Sequence, residues 1–118
     1  MTDKDIIQIA ATNGWEASVR EEPDGTKRVS FRRHMKSGMP FVFTVEVNDG
    51  RTDSLAAEII SLVDAIDPKA CAREWMVKSG IVSPSMFSLA MADMDGIRTE
   101  VWLLTCAFLE FSGISILP

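Results

Sequence analysis

WEASVREEPDGTKRVSFRRHMKSGMPFVFTVEV, residues 15–47, decides the fold. Its apolar side chains recur at every second position. Trp15, Ala17 and Val19 alternate with Glu16, Ser18 and Arg20; Val29 and Phe31 alternate with Arg28, Ser30 and Arg32; Phe41, Phe43, Val45 and Val47 share one face, with Thr44 and Glu46 opposite. A period of two sends successive side chains to opposite faces of an extended chain, so each run is predicted to be a half-buried strand. Pro23-Asp24-Gly25-Thr26 and the stretch from Met35 to Pro40 supply the turn formers between the runs. Three strands on short loops make an antiparallel meander, with its aromatic and β-branched face toward helices and its polar face toward water.

Outward from this sheet the period becomes helical. On the N-terminal side, Thr2 and Asp5 have capping-box spacing, Ile6, Ile7, Ile9 and Ala10 give an apolar side, and Asn13-Gly14 stands where a helix should stop. On the other side Asn48-Asp49-Gly50 closes the sheet. Thr52, Asp53 or Ser54 can then cap a helix whose stripe is Leu55, Ile59, Leu62 and Ile66, the element expected to lie on the sheet. Asp67-Pro68 and Ser83-Pro84 each start a further helix, because proline at the first helical position lacks only a donor that would be unpaired there. Cys71, Trp75 and Met76 are read as facing inward on the helix from Pro68. Beyond Pro84, Phe87, Ala90, Met94, Ile97, Val101, Leu104, Phe108 and Phe111 are spaced three or four apart without a slip, which predicts one continuous helix; a break at Asp95-Gly96 is the alternative. The order is α-β-β-β-α-α-α, a single α+β domain over residues 1–118.

Length and composition agree with that reading. The chain has 118 residues, 47% hydrophobic and 25% charged, as a folded domain of ordinary size requires. It has no run of eighteen apolar residues, and its opening MTDKD is unlike a secretory signal, so a cytoplasmic protein away from membranes is expected. Two cysteines, Cys71 and Cys106, suit a reducing compartment and are too few for a disulfide framework or a zinc site. A net charge of −5 disfavours an obligate nucleic-acid binder.

The last helix sets up an expectation about assembly. From Phe87 to Phe111 it would span ~36 Å, against ~23 Å for strands of about seven residues. The sheet cannot cover such a seam, and Trp102, Leu103 and Ala107 widen it. A second copy is expected to cover Ile97, Val101, Trp102, Leu104, Phe108 and Phe111; the alternative is an intramolecular core completed by the N-terminal helix. The apolar end Gly113-Ile114-Ser115-Ile116-Leu117-Pro118 should pack back or meet a partner.

Chemistry is mostly excluded. The only histidine, His34, sits among Arg32, Arg33 and Lys36 beside a loop, far in sequence from both cysteines, and reads as an exposed loop residue. Asp93-Met94-Asp95-Gly96 is a fragment of a calcium loop, but Met91 and Trp102 fall where the first and last oxygen ligands belong. No metal or other cofactor is expected; these carboxylates read as a solvated helix face, with Asp95 able to pair with Arg98. Neither GxxxxGK nor GxGxxG occurs.

Lys27, Arg28, Arg32, Arg33 and Lys36 face only Asp24 in their segment, a local charge of about +4. With the opening order α-β-β-β-α, this strand is similar in topology to double-stranded RNA-binding domains, which implies a nucleic-acid contact through these five residues. The basic cluster that such domains carry on the helix after the third strand is missing, since 52–58 holds no cation. Period two also turns Arg33 away from Arg28 and Arg32, whose neighbours Glu16, Glu22 and Glu46 offer cross-strand partners.

FTVEVNDG from Phe43, LAAEIISLVDAIDPKACAREWM and GIVSPSMFSLAMADMDGI together resemble small uncharacterised proteins of conjugative and phage-like elements of gut bacteria. The likeness covers the C-terminal two thirds of the chain. It implies an accessory protein acting in a host cytoplasm, and it brings no site residue with it. The function expected from all this is a non-catalytic protein-interaction role, as a homodimer that meets another, unidentified protein partner, with nucleic-acid binding through the basic strand as the alternative.

Overall fold

The computed structural model describes residues 1–48 and 52–113, leaving aside the side chains of Thr52 and Asp53. The expected turn at Asp49-Gly50, a cap from Thr52 or Asp53, and the apolar end from Ile114 to Pro118 lie outside the described residues. The elements are α1 (Asp3–Thr12), β1 (Glu16–Glu21), β2 (Lys27–His34), β3 (Pro40–Val47), α2 (Thr52–Val63), α3 (Pro68–Ser79), α4 (Pro84–Asp95) and α5 (Ile97–Phe111). This is the α+β arrangement that the periodicity predicts. Among the described residues no helix is long and apolar enough to cross a membrane.

The three strands form one antiparallel sheet in the order β1-β2-β3. Register places Glu16, Arg32 and Val42 in one row of the solvent face, Ser18, Ser30 and Thr44 in the next, and Arg20, Arg28 and Glu46 in the third. In the first turn, Asp24 Oδ1 accepts from the Thr26 N–H at 3.0 Å and from its hydroxyl at 2.7 Å, while Gly25 takes a φ of +88° that side chains disfavour. The inner face carries Val29, Phe31, Phe41, Phe43, Val45 and Val47, all buried. Phe31 stacks on Phe43 at 5.0 Å and meets Phe108 of α5 edge-on at 5.9 Å; Trp15 closes the cluster 5.3 Å from Phe43. Burial of each such ring contributes roughly 2–3 kcal/mol.

Caps fix the helix starts. Thr2 and Asp5 make the full capping box of α1, Asp67 accepts from Ala70 N–H at 3.1 Å to start α3, and Ser83 accepts from Met86 N–H to start α4. Proline follows the cap in both later cases. Helix α2 packs on β3 and α5, while α4 packs on α3 and α1 on β1.

Two expectations are corrected. The long seam is divided: Gly96, at φ −94° and ψ −7°, separates α4 from α5, and the two helices lie against different neighbours. Regular three-and-four spacing persists across the junction because each half keeps its own apolar stripe inward. Furthermore Ile97, Val101, Leu104 and Phe108 are completely or almost completely buried within a single subunit. Helices α1 and α2 flank α5 and the sheet lies beneath it, so these four side chains are covered within one subunit. On α3, Ala72 and Met76 are buried, whereas Cys71 and Trp75 are only partly covered.

Candidate functional site

The basic strand is largely neutralised by its own surroundings. Lys27 and Arg33 alternate with Arg28 and Arg32 and so belong to the helix side of β2. Lys27 Nζ lies 2.7 Å from Asp3 of α1. The Arg33 guanidinium lies 2.8 Å from Glu100 of α5 and 5.6 Å from the centre of the Trp15 ring. On the solvent face Arg28 is 2.7 Å from Glu46 and 3.8 Å from Glu22, and the Glu46 carboxylate raises its pKa further above the ordinary arginine range. Glu22 also holds Arg20 at 2.8 Å. Of the five cations expected to meet phosphate, Arg32 and Lys36 alone have no carboxylate within ion-pair distance among the described residues. Arg32 stands on the solvent face of the strand and Lys36 on the loop that follows it.

The loop after β2 is pinned to α4. Asp93 Oδ2 accepts from the Ser37 N–H at 3.0 Å and from the Ser37 hydroxyl, and Ser37 Oγ in turn accepts from Met39 N–H at 3.3 Å. A hollow of about 330 Å3 beside this clamp is lined by Arg33, His34, Lys36, Asp93 and Glu100. The serine proton is directed at Asp93, and no histidine accepts it, so the three residue types of a nucleophile relay are present without the relay. Asp93 thereby holds the loop to α4. Among the described residues no three His, Cys, Asp or Glu side chains converge as metal ligands. Arg98, which the spacing allows to pair with Asp95, instead donates to the Ile66 carbonyl at 2.7 Å, holding the turn after α2 against α5.

The outward side of α5 is the remaining surface of interest. With Ile97, Val101, Leu104, Thr105 and Phe108 inward, the helical period brings Thr99, Trp102, Leu103, Cys106 and Glu110 outward. Trp102 and Leu103 are half exposed, at 47% and 50%, and Phe111 at the C-terminal end is 51% exposed. Thr105 hides its hydroxyl by donating to the Val101 carbonyl at 2.9 Å, so the inward side is apolar in effect. Cys106 lies mid-way along the outer stripe and is partly covered; burial, with Glu110 adding to it, pushes its thiol pKa up.

Next to this stripe, α1 and α5 leave a hollow of about 620 Å3 lined by Gln8, Ile9, Asn13, Ala107, Glu110 and Phe111 among others. The sequence marks Ala107 and Phe111 as apolar surface and offers the N-terminal helix as one possible cover; the structure places α1 beside α5 with a hollow left between them. No family model, curated protein or solved structure matches this chain.

Proposed function

We propose that this chain is a non-catalytic interaction protein that pairs with a second copy through the outer side of α5. The observation that carries the reading is the half-exposed pair Trp102 and Leu103, adjacent to Cys106, on a helix whose other side is already the core. Tryptophan is the side chain most enriched at the centres of interfaces, and exposing half of one with a leucine beside it leaves apolar surface in water. The stripe from Thr99 to Cys106 is uncharged on its outer positions, so two copies related by a two-fold axis bring no like charges together there. The interface differs from the one expected from sequence: Trp102 remains, Leu103 and Cys106 join it, and the four inward residues drop out together with Phe111, which the helical period places on the side of Leu104 and Phe108.

Sedimentation velocity across a dilution series tests the assembly. The expected result is a coefficient that falls on dilution for the native chain and stays at the monomer value for Trp102→Glu at every concentration, with unchanged far-ultraviolet circular dichroism. A native chain that remains monomeric at high micromolar concentration removes the proposal.

A further inference from the structure

We infer that the free edge of β3 takes up an extended, cationic segment of another protein as a fourth strand. The register fixes which main-chain groups are open. Met35 N–H donates to the Met39 carbonyl at 2.9 Å, and the same pairing continues as Arg33 with Phe41, Phe31 with Phe43 and Val29 with Val45. In an antiparallel ladder these are the mutually bonded pairs, so the N–H and C=O groups of Val42, Thr44 and Glu46 point away from β2. Among the described residues none of them finds a main-chain partner.

Beside that edge runs a row of three adjoining hollows between β3 and helices α2 and α3. One lies at Met39 to Val42 against Cys71, Trp75 and Lys78; the middle one, about 370 Å3, lies at Phe41 to Thr44 against Leu62, Ile66 and Cys71; the third lies at Thr44 to Glu46 against Glu58 and Ser61. An added strand would place alternate side chains in these hollows and the others beside Val42, Thr44 and Glu46 on the solvent face. Val42, 51% exposed, stands at one end of that outer row.

Charge chooses the occupant. The hollows are rimmed by four carboxylates, Glu46, Glu58, Asp67 and Glu74; Arg28 pairs with Glu46 and Lys78 with Glu74, each at 2.7 Å, which leaves Glu58 and Asp67 without a cation at ion-pair distance among the described residues. A second copy presenting the same edge would bring the same carboxylates face to face. A segment alternating apolar with lysine or arginine residues meets both the apolar floor and the acidic rim.

The test uses the full-length chain, native and Trp102→Glu in parallel so that pairing through α5 is read separately, with a blocked octapeptide alternating valine and lysine. Amide hydrogen exchange is followed by nuclear magnetic resonance. At saturating peptide the amides of Val42, Thr44 and Glu46 are expected to slow by about tenfold or more, while those of Ala17, Val19 and Glu21 on β1 do not change. Two further versions carry N-methyl groups on the valines or on the lysines; since only one set of nitrogens can face β3, one version must lose binding and the other keep it. The inference is overturned by the absence of protection at millimolar peptide, by protection on β1 instead, by equal binding of both methylated versions, or by equal binding of the octapeptide with glutamate in place of lysine. Protection of the β3 edge without peptide, growing with protein concentration, would overturn it in favour of a second copy.

Discussion

Arg33 and Glu100 meet at 2.8 Å across 67 residues of sequence, with the Arg33 guanidinium held over the ring of Trp15. The contact ties the end of the central strand to the first turn of the last helix, and both side chains are partly covered. Arg33→Ala should lower stability by about 1–2 kcal/mol, combining a screened ion pair with a cation-π contact and lost packing of the arginine stem. Glu100→Gln should cost less, about 0.5–1 kcal/mol, because the ring contact survives. Urea unfolding of both variants measures the difference; equal losses would mean that the Trp15 contact contributes nothing.

The clamp between Ser37 and Asp93 leads to a second prediction. Asp93→Ala leaves the partly buried Ser37 N–H without its acceptor and should destabilise by about 1–2 kcal/mol. Ser37→Ala removes the hydroxyl but keeps the main-chain bond, so its cost should be the smaller of the two. Equilibrium unfolding of the pair checks the order.

The sheet was readable because period two needs no tertiary information: alternation from Trp15 to Val47 gives strands, faces and turn positions at once. Caps were equally local, as at Thr2, Asp67 and Ser83. What neighbours do with a residue was not readable. The spacing from Phe87 to Phe111 is the same whether the helix runs on or divides at Gly96, and Ile97 to Phe108 look alike facing a second copy or facing Phe31. The partners of the basic strand were hidden for a similar reason, since Asp3 and Glu100, which pair with Lys27 and Arg33, come from elements distant in sequence.

Gly96 tests how the two last helices are joined. Its φ is negative and a methyl group built on it would meet nothing within 4 Å. Alanine therefore fits the native backbone, and Gly96→Ala should stabilise by about 0.4–1 kcal/mol by restricting the unfolded chain. A loss of stability would show that the junction requires conformations closed to alanine.

At the start of α1, the Asp5 carboxylate accepts from the main-chain N–H of Thr2 at 2.9 Å and interacts with the Thr2 side chain, which lowers its pKa below the ordinary 3.8. A lowered folded pKa means a contribution present above the unfolded value and lost as pH falls through the folded one. The stability difference between the native chain and Asp5→Ala should hold steady near neutrality and shrink in that acid range. A difference that grows on acidification would contradict the capping role.

Both thiols are expected to be sluggish, for a reason that also reports on assembly. Burial is the main cause that raises the Cys71 and Cys106 pKa values, with Glu74 and Glu110 adding like-charge repulsion of the thiolate. Since the thiolate is the reacting form, labelling of either by a disulfide reagent at neutral pH should run slower than that of a free cysteine peptide and accelerate as pH rises. Cys106 lies on the outer stripe of α5 whereas Cys71 lies on α3, so raising the protein concentration should slow Cys106 alone if two copies close over Trp102 and Leu103. In Trp102→Glu that concentration dependence should vanish while the pH dependence stays, which separates the electrostatic cause from the covering of the surface.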